Sequence, residues 1–135
     1  MASPGHIHHL ELYVGSVEKS RAFWEPFLAH FGYRVFQFWP EGISFILDET
    51  YLVLVQVEPA YLTPEYHRKR VGLNHLAFHA RSWHQVDQLT AWARARGHPI
   101  LYQDRHPYAG GGATYALYLE DPDRLKVEIV APSNT

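Results

Sequence analysis

The chain has 135 residues, 47% of them hydrophobic, which is enough for one domain with a substantial buried core. Its formal net charge of −2 gives no electrostatic reason to expect binding to nucleic acid or an anionic membrane, and the lack of cysteine excludes disulfides and thiol chemistry. Without a run of about 18 apolar residues or a signal-peptide pattern, we expect a cytoplasmic protein that does not enter a membrane. Histidine, present ten times, and carboxylate are the available metal ligands.

The first half of the chain predicts one strand, one helix and three further strands. HHLELYV alternates in the manner of a strand. Ser16 is the predicted N-cap of a helix in VEKSRAFWEPFLAHF, where Pro26 is expected to disturb the helix and Gly32 to end it. The β-rich runs YRVFQFW, ISFIL and YLVLVQV follow.

The second half predicts the same order of elements. NHLAFHA is the strand, and Ser82 with Gln85 resembles a capping box for a helix in WHQVDQLTAWARAR, which ends at Gly97. The runs HPILYQD, TYALYLE and LKVEIV are the three later strands, separated by the turn signals AGGG and DPD.

The two halves are therefore repeats of one β-α-β-β-β module. His9 and His75 occupy equivalent places, 66 residues apart. We expect an α+β fold in which residues 1–135 form a single domain. Module one spans about 6–58, a connector about 59–72, and module two about 73–131.

Alternation along the strands assigns each histidine to a face. Leu10, Leu12 and Val14 should lie under the helix, which leaves His9 on the opposite, more polar side. By the same rule His75, Lys126 and Glu128 emerge on the polar side of module two. If the modules pair around an approximate two-fold axis, His9, His75 and Glu128 can converge in a concave surface. Two imidazoles and one carboxylate suit a catalytic divalent metal, although hydrogen-bonded strand histidines and a solvated glutamate explain the pattern equally well.

The stretches HHLELYVGSVEKSRAFW, GLNHLAFHARS and GGGATYALYLEDPDRLKVEIV resemble the vicinal oxygen chelate superfamily. This group contains glyoxalase I, fosfomycin-resistance thioltransferases, bleomycin-resistance proteins and extradiol dioxygenases. The resemblance covers essentially the whole chain. It implies a glyoxalase-like fold with a U-shaped sheet per module, a metal-lined cleft and usually a homodimer.

The resemblance also implies the ligands of a divalent ion, which would be Zn, Ni, Mn or Fe. His9 matches the first-strand ligand, His75 its counterpart in module two, and Glu128 the carboxylate of the last strand. A fourth ligand, usually Glu, belongs to the last strand of module one, where Gln56 is the best match. The family's DPDG turn is DPDR here, so Arg124 stands where a glycine would take a left-handed conformation, at a cost on the order of 1 kcal/mol.

Several residues are candidates for contact with a substrate. Arg105, His106 and Tyr108 precede the glycines of the loop DRHPYAGGG and would line the mouth of the cleft, the alternative being a surface loop held by its own hydrogen bonds. His79 shares the face of His75, but strand positions four apart are separated by about 13 Å, so it is predicted to line the cavity and not to share the ion.

The favoured interpretation is a metal-dependent, glyoxalase-like enzyme of the lyase or isomerase type that chelates adjacent oxygens of a small substrate. No residue is identified as its general base. An Fe(II)-dependent extradiol-type dioxygenase is the first alternative, because two histidines and a carboxylate also suit that metal. The second is a metal-free drug-binding protein of the bleomycin-resistance kind.

Overall fold

The computed structural model describes residues 2–133. These divide into two compact units, the first ending at Glu65 and the second beginning at Tyr66. The division falls within the predicted connector, 59–72. Each unit contains one copy of the repeat, so the prediction of two similar modules in an α+β fold is confirmed.

The first unit is a four-stranded sheet with one long helix. Its elements are β1 (His9–Val14), α1 (Val17–Ala29), β2 (Arg34–Trp39), β3 (Gly42–Leu47) and β4 (Thr50–Gln56), followed by a short 3₁₀ helix (Pro59–Tyr61). The strand order is β1-β4-β3-β2, with β1 parallel to β4 and the other pairs antiparallel. All four strands expected in the first half are present.

Helix α1 begins and packs as the sequence predicts. The Ser16 side chain accepts a hydrogen bond from the Lys19 N–H at 3.2 Å, which satisfies a free donor of the first turn. Phe23, Trp24 and Phe27 are fully buried, so the apolar stripe of the helix forms the core of this unit. The helix continues past Pro26 to Ala29.

The second unit is a three-stranded sheet, one strand fewer than expected. Its elements are β5 (His75–His79), α2 (Trp83–Ala95), β6 (Ala116–Glu120) and β7 (Lys126–Val130), in the order β5-β7-β6 with β5 parallel to β7. Ser82 caps α2 by accepting from the Gln85 N–H at 3.1 Å. The Gln85 side chain accepts from the N–H of Arg81, one residue before the cap, so this is a variant of the expected capping box.

The run HPILYQD is not a strand, contrary to the prediction. Only Ile100 forms a bridge, to Leu119 of β6. Tyr102 then takes a left-handed backbone conformation (φ 56°), and its carbonyl accepts from the N–H groups of Arg105 and His106. The chain therefore turns away from the sheet after one bridge. The apolar composition of HPILYQD does not indicate this turn.

The turn before β7 keeps a left-handed residue without glycine. Arg124 has φ 65°, as its match to a family glycine implied. The carboxylate of Asp121 accepts from the N–H groups of Asp123 and Leu125 at 2.9 and 2.8 Å, which stabilises the turn around the strained residue. Within residues 2–133, neither helix is long and apolar enough to cross a bilayer.

Candidate functional site

One face of the second sheet carries a cluster of polar side chains. The strand register sets His75 beside Lys126, Ala77 beside Glu128, and Tyr118 on the other side of Glu128. Paired residues point to the same face of a sheet. We call the surface formed by His75, Tyr118, Lys126 and Glu128 the His75 face.

His75 has an acceptor oxygen at each ring nitrogen. Its Nδ1 lies 2.7 Å from Oδ1 of Asn74, and its Nε2 lies 3.1 Å from Oε1 of Glu128. A neutral imidazole carries one N–H. With the proton on Nε2 the ring donates to Glu128, whereas with the proton on Nδ1 it donates to Asn74 and leaves the Nε2 lone pair available to a metal ion.

Glu128 is buried, with 8% of its surface exposed, and its carboxylate has polar neighbours in His75 and Tyr118. Burial is the main cause that raises the pKa of Tyr118 to about 12, and a hydrogen bond to Glu128 is the next. The phenol is therefore protonated throughout the neutral range and donates to the carboxylate. His75 and Tyr118 together hold Glu128 in one orientation.

Two cations, Lys126 on the His75 face and Arg105 next to it, contact the same tyrosine. The Lys126 Nζ is 3.1 Å from the Tyr102 hydroxyl and 5.8 Å from the centre of the Tyr118 ring. The Arg105 guanidinium carbon is 4.9 Å from the centre of the Tyr102 ring. Tyr102 and Tyr118 contact each other edge to face, and Lys126 lies near both rings whereas Arg105 lies over Tyr102.

The equivalent face of the first sheet has different chemistry. His9 stacks on Tyr51, with ring centres 4.7 Å apart and planes at 6°. Its Nδ1 is 2.9 Å from Nδ1 of His8. Glu11 is paired with Val53, so an apolar residue occupies the place that Glu128 takes in the second unit.

Gln56 lies on the opposite face from His9. It is paired with Val14, one residue out of phase with the His9 series. Its amide oxygen accepts from the N–H of Val17, the first residue of α1, and its amide nitrogen donates to the carbonyl of Gly15. These bonds give Gln56 a structural role at the start of the helix, and a ligand role for it stays a prediction that this geometry does not support.

The predicted substrate residues of the glycine-rich loop do not all lie together. Arg105 belongs to the cluster around Tyr102. Burial lowers the pKa of His106, as does the charge of Arg94 on α2, so His106 lies near that helix. Tyr108 contacts the edge of Tyr115, which in turn stacks on Trp83 at the start of α2. His79 lies at the exposed end of β5, on the His75 face.

The donor set of the second unit suits a divalent ion. A histidine nitrogen and a carboxylate oxygen face each other, and Asn74 orients the ring through its other nitrogen, as outer hydrogen bonds do in metal sites. Within neither described unit do three His, Asp or Glu side chains gather to hold an ion. The predicted set of His9, His75 and Glu128 draws on both units and stays a prediction.

The chain belongs to the glyoxalase/bleomycin resistance protein/dioxygenase superfamily, whose family model matches residues 6–129. It is 58% identical over 127 residues to the uncharacterized protein YqjT of Bacillus subtilis (strain 168), covering 94% of this chain and 99% of that protein.

Solved structures agree with this assignment. A provisional glyoxalase from Bacillus halodurans is 54% identical, with a TM-score of 0.94, over 96% of this chain and 97% of that one. Lactoylglutathione lyase from Agrobacterium tumefaciens has a TM-score of 0.67 at 22% identity, covering 98% and 97% of the two chains, and shows likeness of fold alone. The expected family and glyoxalase-like fold are confirmed.

Three residues on or beside the His75 face are not singled out by the sequence pattern. Asn74 directly precedes a candidate ligand, and Tyr118 alternates with apolar residues in TYALYLE, so both carry a weak signal. Tyr102 carries none, because its position follows from a turn inside a run that reads as a strand.

Proposed function

We propose that this protein is a metal-dependent, glyoxalase-like enzyme of the lyase or isomerase type that chelates adjacent oxygens of a small substrate. The observation that carries the proposal is the His75–Glu128 pair, with its nitrogen and oxygen 3.1 Å apart and Asn74 bonded to the other ring nitrogen. Both residues match ligand positions of the family, and membership of that family is shown.

The proposed ligands are His9, His75 and Glu128. Gln56, the fourth candidate by family match, is instead bonded to the backbone at the start of α1. When bound, a divalent ion such as Zn, Ni, Mn or Fe would supply Lewis-acid stabilisation of negative charge on substrate oxygens. The chain's own residues orient the donors: Asn74 holds the His75 ring, and Tyr118 donates to Glu128. Because Tyr118 keeps its proton at neutral pH, it is a hydrogen-bond donor and not a base. A homodimer in the cytoplasm is part of the proposal.

An Fe(II)-dependent, extradiol-type dioxygenase is the second candidate, and Val53 favours it. Since Val53 stands where a second carboxylate would match Glu128, the chain offers two histidines and one carboxylate, the set typical of non-haem Fe(II) oxygenases. Anaerobic loading with Fe(II), followed by catechol turnover and oxygen uptake, separates this candidate from the first.

The direct test is metal content of untagged protein by elemental analysis. Wild type should contain about one divalent ion per chain, and His75→Ala should contain almost none, because a donor atom is lost. His84→Ala, an exposed histidine on α2 of the same unit, is the matched control and should keep its metal. Full metal content in His75→Ala would overturn the ligand assignment. Metal-free wild type that binds a flat aromatic ligand tightly would favour the drug-binding alternative.

A second pair of variants tests the carboxylate. Glu128→Gln should weaken metal affinity by more than about 100-fold, since loss of a direct ligand exceeds the loss of an outer partner. Glu11→Gln removes a carboxylate from β1 of the first unit, on the face of His9, and should leave the affinity unchanged. Equal losses in the two variants would remove the special role given to Glu128.

A further inference from the structure

We propose that Lys126 and Arg105 form a binding site for an oxyanionic group, a carboxylate or a phosphoryl group, carried by the substrate. The site lies on the His75 face, beside the His75–Glu128 pair. It deepens the proposed function and rests on it for the assignment of the anion to the substrate. Binding of the anion itself needs no metal.

Lys126 is a half-buried cation at the centre of the cluster. It is paired in register with His75, so the two side chains leave adjacent strands on the same face. Its ammonium contacts the Tyr102 hydroxyl and lies 5.4 Å from the centre of that ring. Within residues 2–133, no Asp or Glu forms an ion pair with Lys126 or with Arg105.

Arg105 brings a second positive charge to Tyr102. Its guanidinium lies over the Tyr102 ring, which Lys126 also contacts. Two cations thus contact the side chain of one tyrosine.

The backbone is strained to build this arrangement. Tyr102 has a left-handed φ of 56°, which costs a bulky residue on the order of 1 kcal/mol. The same turn brings Arg105 back over the ring, since the Arg105 N–H donates to the Tyr102 carbonyl at 3.0 Å. The turn that interrupts the expected strand is therefore the element that positions both Tyr102 and Arg105.

Electrostatics favour an anion at this position. Like charges repel, and cation–π contacts offset only part of that repulsion. An oxyanion that accepts hydrogen bonds from both Lys126 and Arg105 would neutralise them, and an arginine suits carboxylate and phosphoryl oxygens alike.

The spacing also limits the size of the substrate. Neighbouring strands are about 5 Å apart, so Lys126 lies one strand spacing from His75. A molecule that bridges the two side chains would carry its anionic group near the chelating oxygens, because both side chains leave adjacent strands on the same face. The substrate class is a compact acid, such as a 2-hydroxy or 2-oxo carboxylate or its phosphoryl counterpart.

The test is a titration of metal-free, chelator-treated protein, followed by NMR signals of the arginine and lysine side chains. The probes are lactate, inorganic phosphate and the uncharged lactamide. At least one anion should bind about tenfold more tightly than lactamide, equivalent to about 1.4 kcal/mol. The tighter anion identifies the source as carboxylate or phosphoryl.

Variants assign the effect to the two residues. Lys126→Gln and Arg105→Gln should each remove most of the preference for the anion, and Lys126→Arg should retain it because the charge is kept. Lys69→Gln, an exposed lysine of the same unit, is the control and should bind like wild type. Equal binding of lactamide, or an equal loss in Lys69→Gln, would overturn the proposal. Because metal is absent throughout, this result is independent of whether the ligand assignment for His75 succeeds or fails.

Discussion

The two units share one backbone pattern, with one strand fewer in the second, but carry different chemistry on equivalent faces. In the second unit, His75 is accompanied by Lys126, Glu128 and Tyr118. In the first unit, the same register positions around His9 hold other residues, which are Tyr51, Val53 and Ser44. Only the histidine is common to both. The repeated phrase in the sequence therefore marks a shared fold and one shared donor, and not two copies of a site.

The difference lies in whether each face offers hydrogen-bond partners to a buried carboxylate. His9 stacks flat on Tyr51, and this contact between rings does not depend on a neighbouring charge. Glu128 is buried but has both His75 and a tyrosine hydroxyl as partners. Buried carboxylates persist only where such partners exist. The second unit supplies them and the first does not.

The largest effect is expected from placing a carboxylate in the first unit. Val53→Glu should lower the free energy of unfolding of metal-free protein by about 3 kcal/mol, because Val53 is 4% exposed and an unpartnered charge is costly to bury. Urea unfolding measures the change. Val53→Gln, of the same size without the charge, should lose less. A fully stable Val53→Glu would mean that the two faces tolerate charge alike, which would break the comparison.

The next effect concerns the residue that orients His75. Asn74→Ala should weaken metal affinity about tenfold, since the ring loses the acceptor that fixes its Nδ1–H. Competition with a chelator of known affinity measures it. Asn74→Asp keeps an oxygen acceptor and should restore most of the affinity. Unchanged affinity in Asn74→Ala would contradict a positioning role.

A smaller effect is expected where the two units are alike. Ser16→Ala and Ser82→Ala should each cost about 1 kcal/mol of stability, because each serine caps the first turn of its helix by the same bond. Thermal unfolding compares them, with the exposed Ser3→Ala as the control. Clearly unequal costs would show that the helices depend on their caps differently despite the repeat.

The smallest effect is a titration shift. The pKa of Tyr118 should fall from about 12 in Glu128→Gln but stay above its ordinary value of 10.0, since burial, the larger cause, remains. NMR of labelled tyrosine measures it. Tyr115, raised to about 12 chiefly by its hydrogen bond to Asp87, should not move and is the internal control.

The same shift has a consequence for stability. Unfolded tyrosine ionises near pH 10, whereas folded Tyr118 holds its proton to about 12, so its contribution is present below pH 10 and is lost as the pH rises toward 12. Glu128→Gln should soften this alkaline loss. A wild-type profile without any loss in that range would contradict the raised pKa.

Elements with strong local signals were predictable from the sequence. Capping serines, helical stripes and alternating strands place α1, α2 and β1 through β7 within a few residues of their bounds. One predicted strand, HPILYQD, is not formed, although its composition is apolar enough for a strand. Nothing in its composition marks the left-handed turn at Tyr102, because that conformation is imposed by the surroundings.

For the candidate site, alternation along the strands fixed the face of a residue more precisely than distance along the chain did. Alternation correctly put His75, Lys126 and Glu128 on one face of the second sheet. Gln56 matched the family's fourth ligand by distance along the chain, yet the register sets it on the opposite face from His9. A shift of one residue reverses the direction of a side chain, and spacing across a whole module is too imprecise to resolve it.

The sequence by itself determined the duplicated α+β pattern, the family, and the face on which each strand residue lies, since these depend on local periodicity and short motifs. Tertiary structure decided that Asn74 orients His75, that Tyr118 donates to Glu128, and that Tyr102 gathers Lys126 and Arg105. These contacts join residues far apart in the chain, and strand register and one strained turn set them, which no local pattern encodes.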